Sequence, residues 1–221
     1  MMRDLVMIVF DIGANNGLSG WDELYRLTST APSLTNKDKV YAFEPTPYLI
    51  DRFLRVLERA APDNFIVIPK AVSLKNEITD FHIARGRGCS SLHDFHKNVS
   101  YKKDIGPKPA WLSGKFQVVE TIKVETIRLD TFIIYNNIDK IDFLHCDAQG
   151  GDLNVLKSLG DKIDIVSRGC VEAHHINTPL YNIDNSITSI VSFLEDRGFK
   201  INRRDKVLKT DEKEINIRFS R

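Results

Sequence analysis

Apolar positions in the chain fall into short unbroken runs separated by stretches of helical period. Residues 5–10 form such a run, end on Asp11 and read as a buried strand. The turn Asp11-Ile12-Gly13-Ala14-Asn15-Asn16-Gly17 follows, and residues 18–27 can wind into a helix after it. Residues 28–36, rich in Ser, Thr and Pro, read as a loop. Residues 39–43 (KVYAF) form a second strand ending on Glu44, and Pro45 and Pro47 stop strand pairing there. Leu49, Ile50, Phe53, Leu54 and Leu57 give residues 48–60 a helical stripe, and 64–69 is a third strand, followed by Ala71-Val72-Ser73. Residues 77–84 alternate apolar and polar side chains, as a half-exposed strand does.

Further along, residues 116–129 read as strand and 130–136 as a short helix. Residues 140–146 are a fourth strand, ending at Asp147-Ala148-Gln149-Gly150-Gly151. Residues 152–159 form a helix with Leu153, Val155, Leu156 and Leu159 inward, stopped by Gly160. A fifth strand within 163–171 ends at Glu172-Ala173-His174-His175, an amphipathic helix spans 186–197, and strands near 199–202 and 215–219 close the chain. Strand–helix alternation of this kind predicts an α/β fold with a parallel sheet. A length of 221 residues suits a single domain, 1–221.

The segment 85–115 breaks the pattern. It contains Gly86, Gly88, Gly106, Gly114, Pro107 and Pro109 and has no sustained period. Seven Lys or Arg stand against two Asp, with Tyr101 and Trp111 interleaved. So long an irregular stretch is expected to be a basic loop insertion over the site, or a solvated loop. The whole chain carries a net charge of only +1, so no global attraction to nucleic acid or anionic lipid is expected. Three widely spaced cysteines, Cys89, Cys146 and Cys170, argue against a disulfide framework and fit a reducing, cytoplasmic setting. The N-terminal apolar run is too short for a signal peptide or a membrane span.

The turn at Asp11–Gly17 carries the chemistry. A strand, a tight turn and a helix place free backbone N–H groups at a sheet edge, where open α/β folds bind nucleotide-like cofactors. Asn15 stands where a dinucleotide fingerprint needs its second glycine, and no Gly-Lys-Ser/Thr is present for a P-loop. A cofactor with an adenosine-like body and no pyrophosphate remains, and S-adenosyl-L-methionine fits. Glu44, at the lip of the second strand, can accept both hydroxyls of a ribose. At the ends of the fourth and fifth strands, alternation pairs His145 with Asp147 and Glu172 with His174. Any of these four can serve as general base, and His145 alone equally reads as a buried core histidine. A metal held by Glu172, His174, His175 and Asp147 matches no zinc spacing, and none is expected.

FDIGANNG, AFEPTP, AVS with GCSSL, LDTF, IDFLHCDAQGGDLNVLKSLG and VEAHH stand in the order of the FkbM family of S-adenosylmethionine-dependent methyltransferases, which the chain resembles from Phe10 to about Phe199. The resemblance implies a Rossmann-like class I methyltransferase fold: a seven-stranded, mostly parallel sheet flanked by helices, with its last strand antiparallel. It also implies O-methylation of a hydroxyl on a sugar, glycan or natural-product acceptor. By position, Asp11, Gly13, Asn15 and Gly17 would shape the pocket for the methionine end, Glu44 would hold the ribose, and Asp147 would stand beside the reacting centre. Ser73, with Ser90 or Ser91, would lie near the adenine or the pocket mouth. The family usually has a lysine two residues before this aspartate and a glutamate two after it. Here these are His145 and Gln149. A cofactor-binding module without activity stays open on that ground, as does a nucleic-acid methyltransferase using 85–115, although the near-neutral chain makes nucleic acid the weaker partner.

Overall fold

The computed structural model describes residues 6–15, 37–60, 64–96, 114, 116–174, 179–201 and 214–221. The expected helix at 18–27, the loop at 28–36, and Gly17, Tyr101, Trp111 and His175 lie outside the described residues.

Seven strands form the main sheet: β1 (Ile8–Ile12), β2 (Lys39–Phe43), β3 (Phe65–Ile68), β7 (Phe143–Cys146), β8 (Arg168–His174), β9 (Lys200–Ile201) and β10 (Glu214–Ser220). Their order is β3-β2-β1-β7-β8-β10-β9. Pairing is parallel from β3 through β8, and β10 runs antiparallel to both β8 and β9. The expected seven-stranded, mostly parallel sheet with an antiparallel last strand is present.

Central strands are buried on both faces, and so they read as unbroken apolar runs rather than as alternation. Phe10, Ile12, Tyr41, Phe43, Leu144 and Val171 project to one face. There they meet helices α2 (Leu129–Tyr135), α3 (Asp152–Ser158) and α4 (Ile187–Glu195) through Phe132, Leu153, Leu156, Ile190 and Leu194. Phe132 lies edge-on to Tyr41 and Phe43, with ring centroids 5.4 and 5.0 Å apart. Such pairs contribute about 0.5–1.5 kcal/mol each beyond the area they bury. On the opposite face Ala42 packs against Phe53 of α1 (Pro47–Ala60). Among the described residues no helix is long and apolar enough to cross a membrane.

The segments 77–84 and 116–129, expected as strands, pair in a second sheet, joined there by a short strand at Ala71-Val72. Here β4 (Ala71–Val72), β5 (Ile78–Ala84) and β6 (Val118–Ile127) pair in the order β4-β6-β5, with β5 antiparallel to β6. Their alternating pattern is the cause. Phe81 and Val124 are buried while Ile78 and Val119 face water, and a sheet wetted on one side cannot sit between two helical layers. The fifth main-sheet strand also runs further than expected, through His174, because β10 pairs with it there, Glu214 lying opposite His174.

Candidate active site

The chain leaves β1 towards β2 on one side and β7 towards β8 on the other. The crevice between the carboxyl ends of β1 and β7 is therefore the switch point of the sheet, where open α/β folds bind ligands. A cleft of about 300 Å³ opens there. Its floor is Ile12, Gly13, Phe43, Glu44 and Asp147, and Val72 and Phe81 of the small sheet form a wall.

Gly13 sits at φ +78°, and a Cβ on it would lie 2.0 Å from the carbonyl oxygen of Asp147. The first turn and the end of β7 are thus in backbone contact, which no side chain permits. The N–H groups of Gly13 and Ala14 both donate to the Phe43 carbonyl at 3.0 Å, tying the turn to β2. Asn15 follows in the left-handed region at φ +54°, tolerated by asparagine. Its N–H donates to one Glu44 carboxylate oxygen at 3.0 Å, and the Thr46 N–H donates to the other at 2.8 Å. Glu44 is buried, and that burial pushes its pKa up despite these donors.

Beneath the turn, Asp11 and His145 form a buried pair, with the His145 Nδ1 2.8 Å from the Asp11 carboxylate. Both side chains sit within the sheet, and the His145 ring also borders the cleft.

Past β7 the chain makes a strained loop, with Gln149 at φ +48° and Gly150 at φ +91°. Strain of about 1–3 kcal/mol at a non-glycine residue persists only when neighbours over-determine it, and here they do. The Gln149 amide donates to Asp147 at 2.5 Å and to Glu172 at 3.0 Å, while its carbonyl oxygen accepts from the Tyr181 hydroxyl at 2.7 Å. The backbone carbonyl of Gln149 accepts from the buried Ser91 hydroxyl at 2.7 Å. Gly150 is required because a Cβ there would enter the Tyr181 ring, at 2.6 Å.

Helix α3 then begins with Asp152, fully buried, which accepts from the Ala148 N–H at 2.8 Å and from Asn185 at 2.9 Å. Burial, then the charge of Asp147, raises Asp152 to about 7. Burial, then Asp147, Glu214 and Asp152, push Glu172 well above the usual carboxylate range. A glutamate at 149 would add another carboxylate between Asp147 and Glu172. Gln149 instead supplies an N–H to each.

Of the residues expected from sequence, Gly13, Asn15, Glu44, Ser90, His145 and Asp147 line the cleft together. Asp11 supports it from below. Ser73 is not in the lining, its backbone N–H instead donating to Ile127 at 3.0 Å. Ser91 is a buried support of the Gln149 loop rather than part of the wall. Glu172 reaches the cleft only through Gln149. His174 is stacked on Tyr181, with centroids 5.4 Å apart and planes at 22°, outside the lining. Gln149, Asp152, Tyr181, Asn185 and the wall residues Phe81 and Leu92 were not anticipated as site residues. Gln149 could have been found from its place two residues after Asp147, whereas Tyr181 and Asn185 carry no local signal.

The sheet order and the position of the cleft define a Rossmann-like methyltransferase fold. The same fold is seen in the crystal structure of Methyltransferase FkbM from Methylobacillus flagellatus, at a TM-score of 0.57 and 12% identity over 98% of this chain. The chain spans 44% of that protein's length. SMU.1697c, a putative methyltransferase from Streptococcus mutans solved in complex with SAH, matches at a TM-score of 0.51 and 11% identity, over 98% of this chain and 89% of that one. The chain belongs to the methyltransferase FkbM domain family, whose model matches residues 11–201. It is also 25% identical over 188 residues to the 2-O-methyltransferase NoeI of Sinorhizobium fredii, covering 85% of this chain and 70% of that protein.

Proposed function

We propose that the chain is an S-adenosyl-L-methionine-dependent O-methyltransferase whose acceptor is a hydroxyl on a sugar, glycan or natural product. One observation carries the reading: the carboxylates of Glu44 and Asp147 line the same cleft on either side of Gly13. Likeness to a 2-O-methyltransferase supports oxygen as the acceptor atom.

The residues present fit that cofactor. Each Glu44 oxygen accepts one backbone N–H and, with a second lone-pair site, can still accept a ribose hydroxyl. Phe43, Leu49, Val72 and Leu92 offer apolar surface for a purine. When bound, the cofactor supplies an electrophilic methyl group on a sulfonium.

What the chain contributes is position and charge. Holding a hydroxyl oxygen in line with that methyl can lower the barrier by roughly 7–11 kcal/mol. Asp147 would accept the hydroxyl's hydrogen bond, orient the oxygen and take its proton, a role worth about 10²–10⁴ in rate. Gln149 holds the Asp147 carboxylate in place. Burial and the nearby carboxylates raise the pKa of Glu172. Asp147 serves as the base, His145 supports the turn through Asp11, and Gly88, Ser90 and Leu92 line the cleft.

The test is incubation with methyl-labelled S-adenosylmethionine and a panel of glycosides carrying free hydroxyls, read by mass spectrometry. Label on an acceptor oxygen is expected, and calorimetry should show binding of S-adenosylmethionine and its demethylated product but not NAD. Tight NAD binding with no response to either adenosyl ligand would overturn the reading.

A further inference from the structure

Outside the cleft lining, Glu172, His174 and Glu214 form an acidic and imidazole cluster. Strand β8 presents Glu172 and His174 on one face, two residues apart. Glu214, at the start of β10, lies opposite His174 in the antiparallel register and shares that face. One ligand-type atom from each of Glu172, His174 and Glu214 lies within 4.8 Å of the others, and His174 Nε2 stands 3.7 Å from a Glu214 oxygen.

Two observations separate this cluster from an ordinary patch of acidic residues. His174 is 2% exposed, and neither of its ring nitrogens has a hydrogen-bond partner among the described residues. A buried imidazole without a hydrogen-bond partner is costly to desolvate, so such groups are rare without a ligand. Its ring is also held in place by stacking on Tyr181, whose hydroxyl is anchored on Gln149 and on the Cys89 carbonyl. The imidazole is thus pre-oriented towards the two carboxylates.

We propose that Glu172, His174 and Glu214 form a binding site for one divalent first-row transition cation. One imidazole and two carboxylates suit Zn²⁺, Mn²⁺ or Co²⁺ better than Mg²⁺, which prefers all-oxygen ligands and keeps its water. Ligand bonds near 2.0–2.2 Å place neighbouring donor atoms about 3.3 Å apart. The His174–Glu214 pair is already close to that spacing. A dication would also offset the negative charge of Asp147, Glu214 and Asp152 around Glu172. Binding would ionise Glu172 and fix the carboxylate to which the Gln149 amide donates. The ion would lie one side chain from Asp147, as a clamp on the loop that carries it. Sequence spacing does not reveal the site, since Glu214 is supplied by a strand forty residues beyond His174.

Co²⁺ alone is the probe, because its visible spectrum reports the ligand type. The purified full chain, stripped with chelator, is titrated with Co²⁺ in the absence of any methyl donor. Saturation at one equivalent is expected, with the weak visible bands of nitrogen and oxygen ligation and no thiolate charge-transfer band. Glu214, partly exposed, can be changed without opening the core. Glu214→Gln and His174→Asn, checked for folding by circular dichroism, should each weaken Co²⁺ binding by about 10–100-fold or more. No saturable binding, a thiolate band, or undiminished affinity in both variants would overturn the proposal. Because the readout needs no methyl transfer, it fails or succeeds separately from the proposed function.

Discussion

The two sides of the cleft are built by different means. On the β1–β2 side the contacts come from backbone. Gly13 and Ala14 bond to the Phe43 carbonyl, and Glu44 is held by the N–H groups of Asn15 and Thr46. On the β7–β8 side they come from side chains drawn from separate stretches of chain. Gln149 is held by Asp147, Glu172, Tyr181 and Ser91, and Asp152 by Asn185. A backbone-built half depends on a few conformations and tolerates most side-chain change. A half built from side chains can exchange a charge provided its hydrogen bonds are re-satisfied.

The strongest way to break the comparison is at the contact between the halves. Gly13→Ala puts a Cβ 2.0 Å from the Asp147 carbonyl at a residue with φ +78°. Steric displacement and backbone strain together should cost about 3 kcal/mol or more, lowering Tm by roughly 6 °C or more. A thermal melt of the variant checks this. Both halves should fail together, with loss of binding to the demethylated cofactor as well as activity.

The next effect is confined to the side-chain half and depends on pH. Asp152 has a folded-state pKa of about 7, raised from 3.8. Its folded environment prefers the protonated form. The stability it contributes is present in full below pH 3.8 and is lost as pH rises through 7. Wild type should therefore lose on the order of 2–4 kcal/mol relative to Asp152→Asn between pH 4 and pH 8, measured by denaturant unfolding at each pH. A constant difference across that range would show that Asp152 ionises in the fold as readily as in the unfolded chain.

Glu44→Gln tests the backbone half alone. The amide would point an NH₂ at the N–H of Asn15 or Thr46 and remove the charge to which the proposed function assigns ribose binding. Hydrogen bonds to charged groups contribute about 1.5–3 kcal/mol, so affinity for the demethylated cofactor should fall about 10- to 100-fold by calorimetry. An unchanged dissociation constant would make Glu44 a brace of the turn only. The smallest effect is expected from Ser91→Ala, which removes bonds to the Gln149 carbonyl and from the His93 N–H. It should cost about 1–2 kcal/mol of stability and lower turnover more than cofactor affinity.

What could be read from the sequence follows the same division. The backbone half is local: a strand, a turn with glycine where φ is positive, and an acidic residue before two prolines all lie within short windows. Gly13, Asn15 and Glu44 were therefore identifiable, and so was the sheet, because doubly buried strands give unbroken apolar runs. The side-chain half was legible only at Asp147 and its neighbours on the same strand end. Tyr181 and Asn185 come from a loop with no periodicity, and Glu214 from a strand whose register pairs it with His174. Such partners are set by tertiary pairing, which no window of sequence records. The three-stranded sheet was not foreseen, because alternation marks a half-wet strand without stating which sheet it joins.

Asp147→Asn, with turnover and cofactor binding measured on the same preparation, tests the central claim most directly. Asparagine keeps the shape and can still accept the Gln149 N–H, yet it cannot take a proton from the acceptor. Methyl transfer should fall by about 10²–10⁴, with the dissociation constant of the demethylated cofactor and the melting temperature nearly unchanged. Normal turnover in the folded variant would contradict the central claim and remove Asp147 from the chemistry.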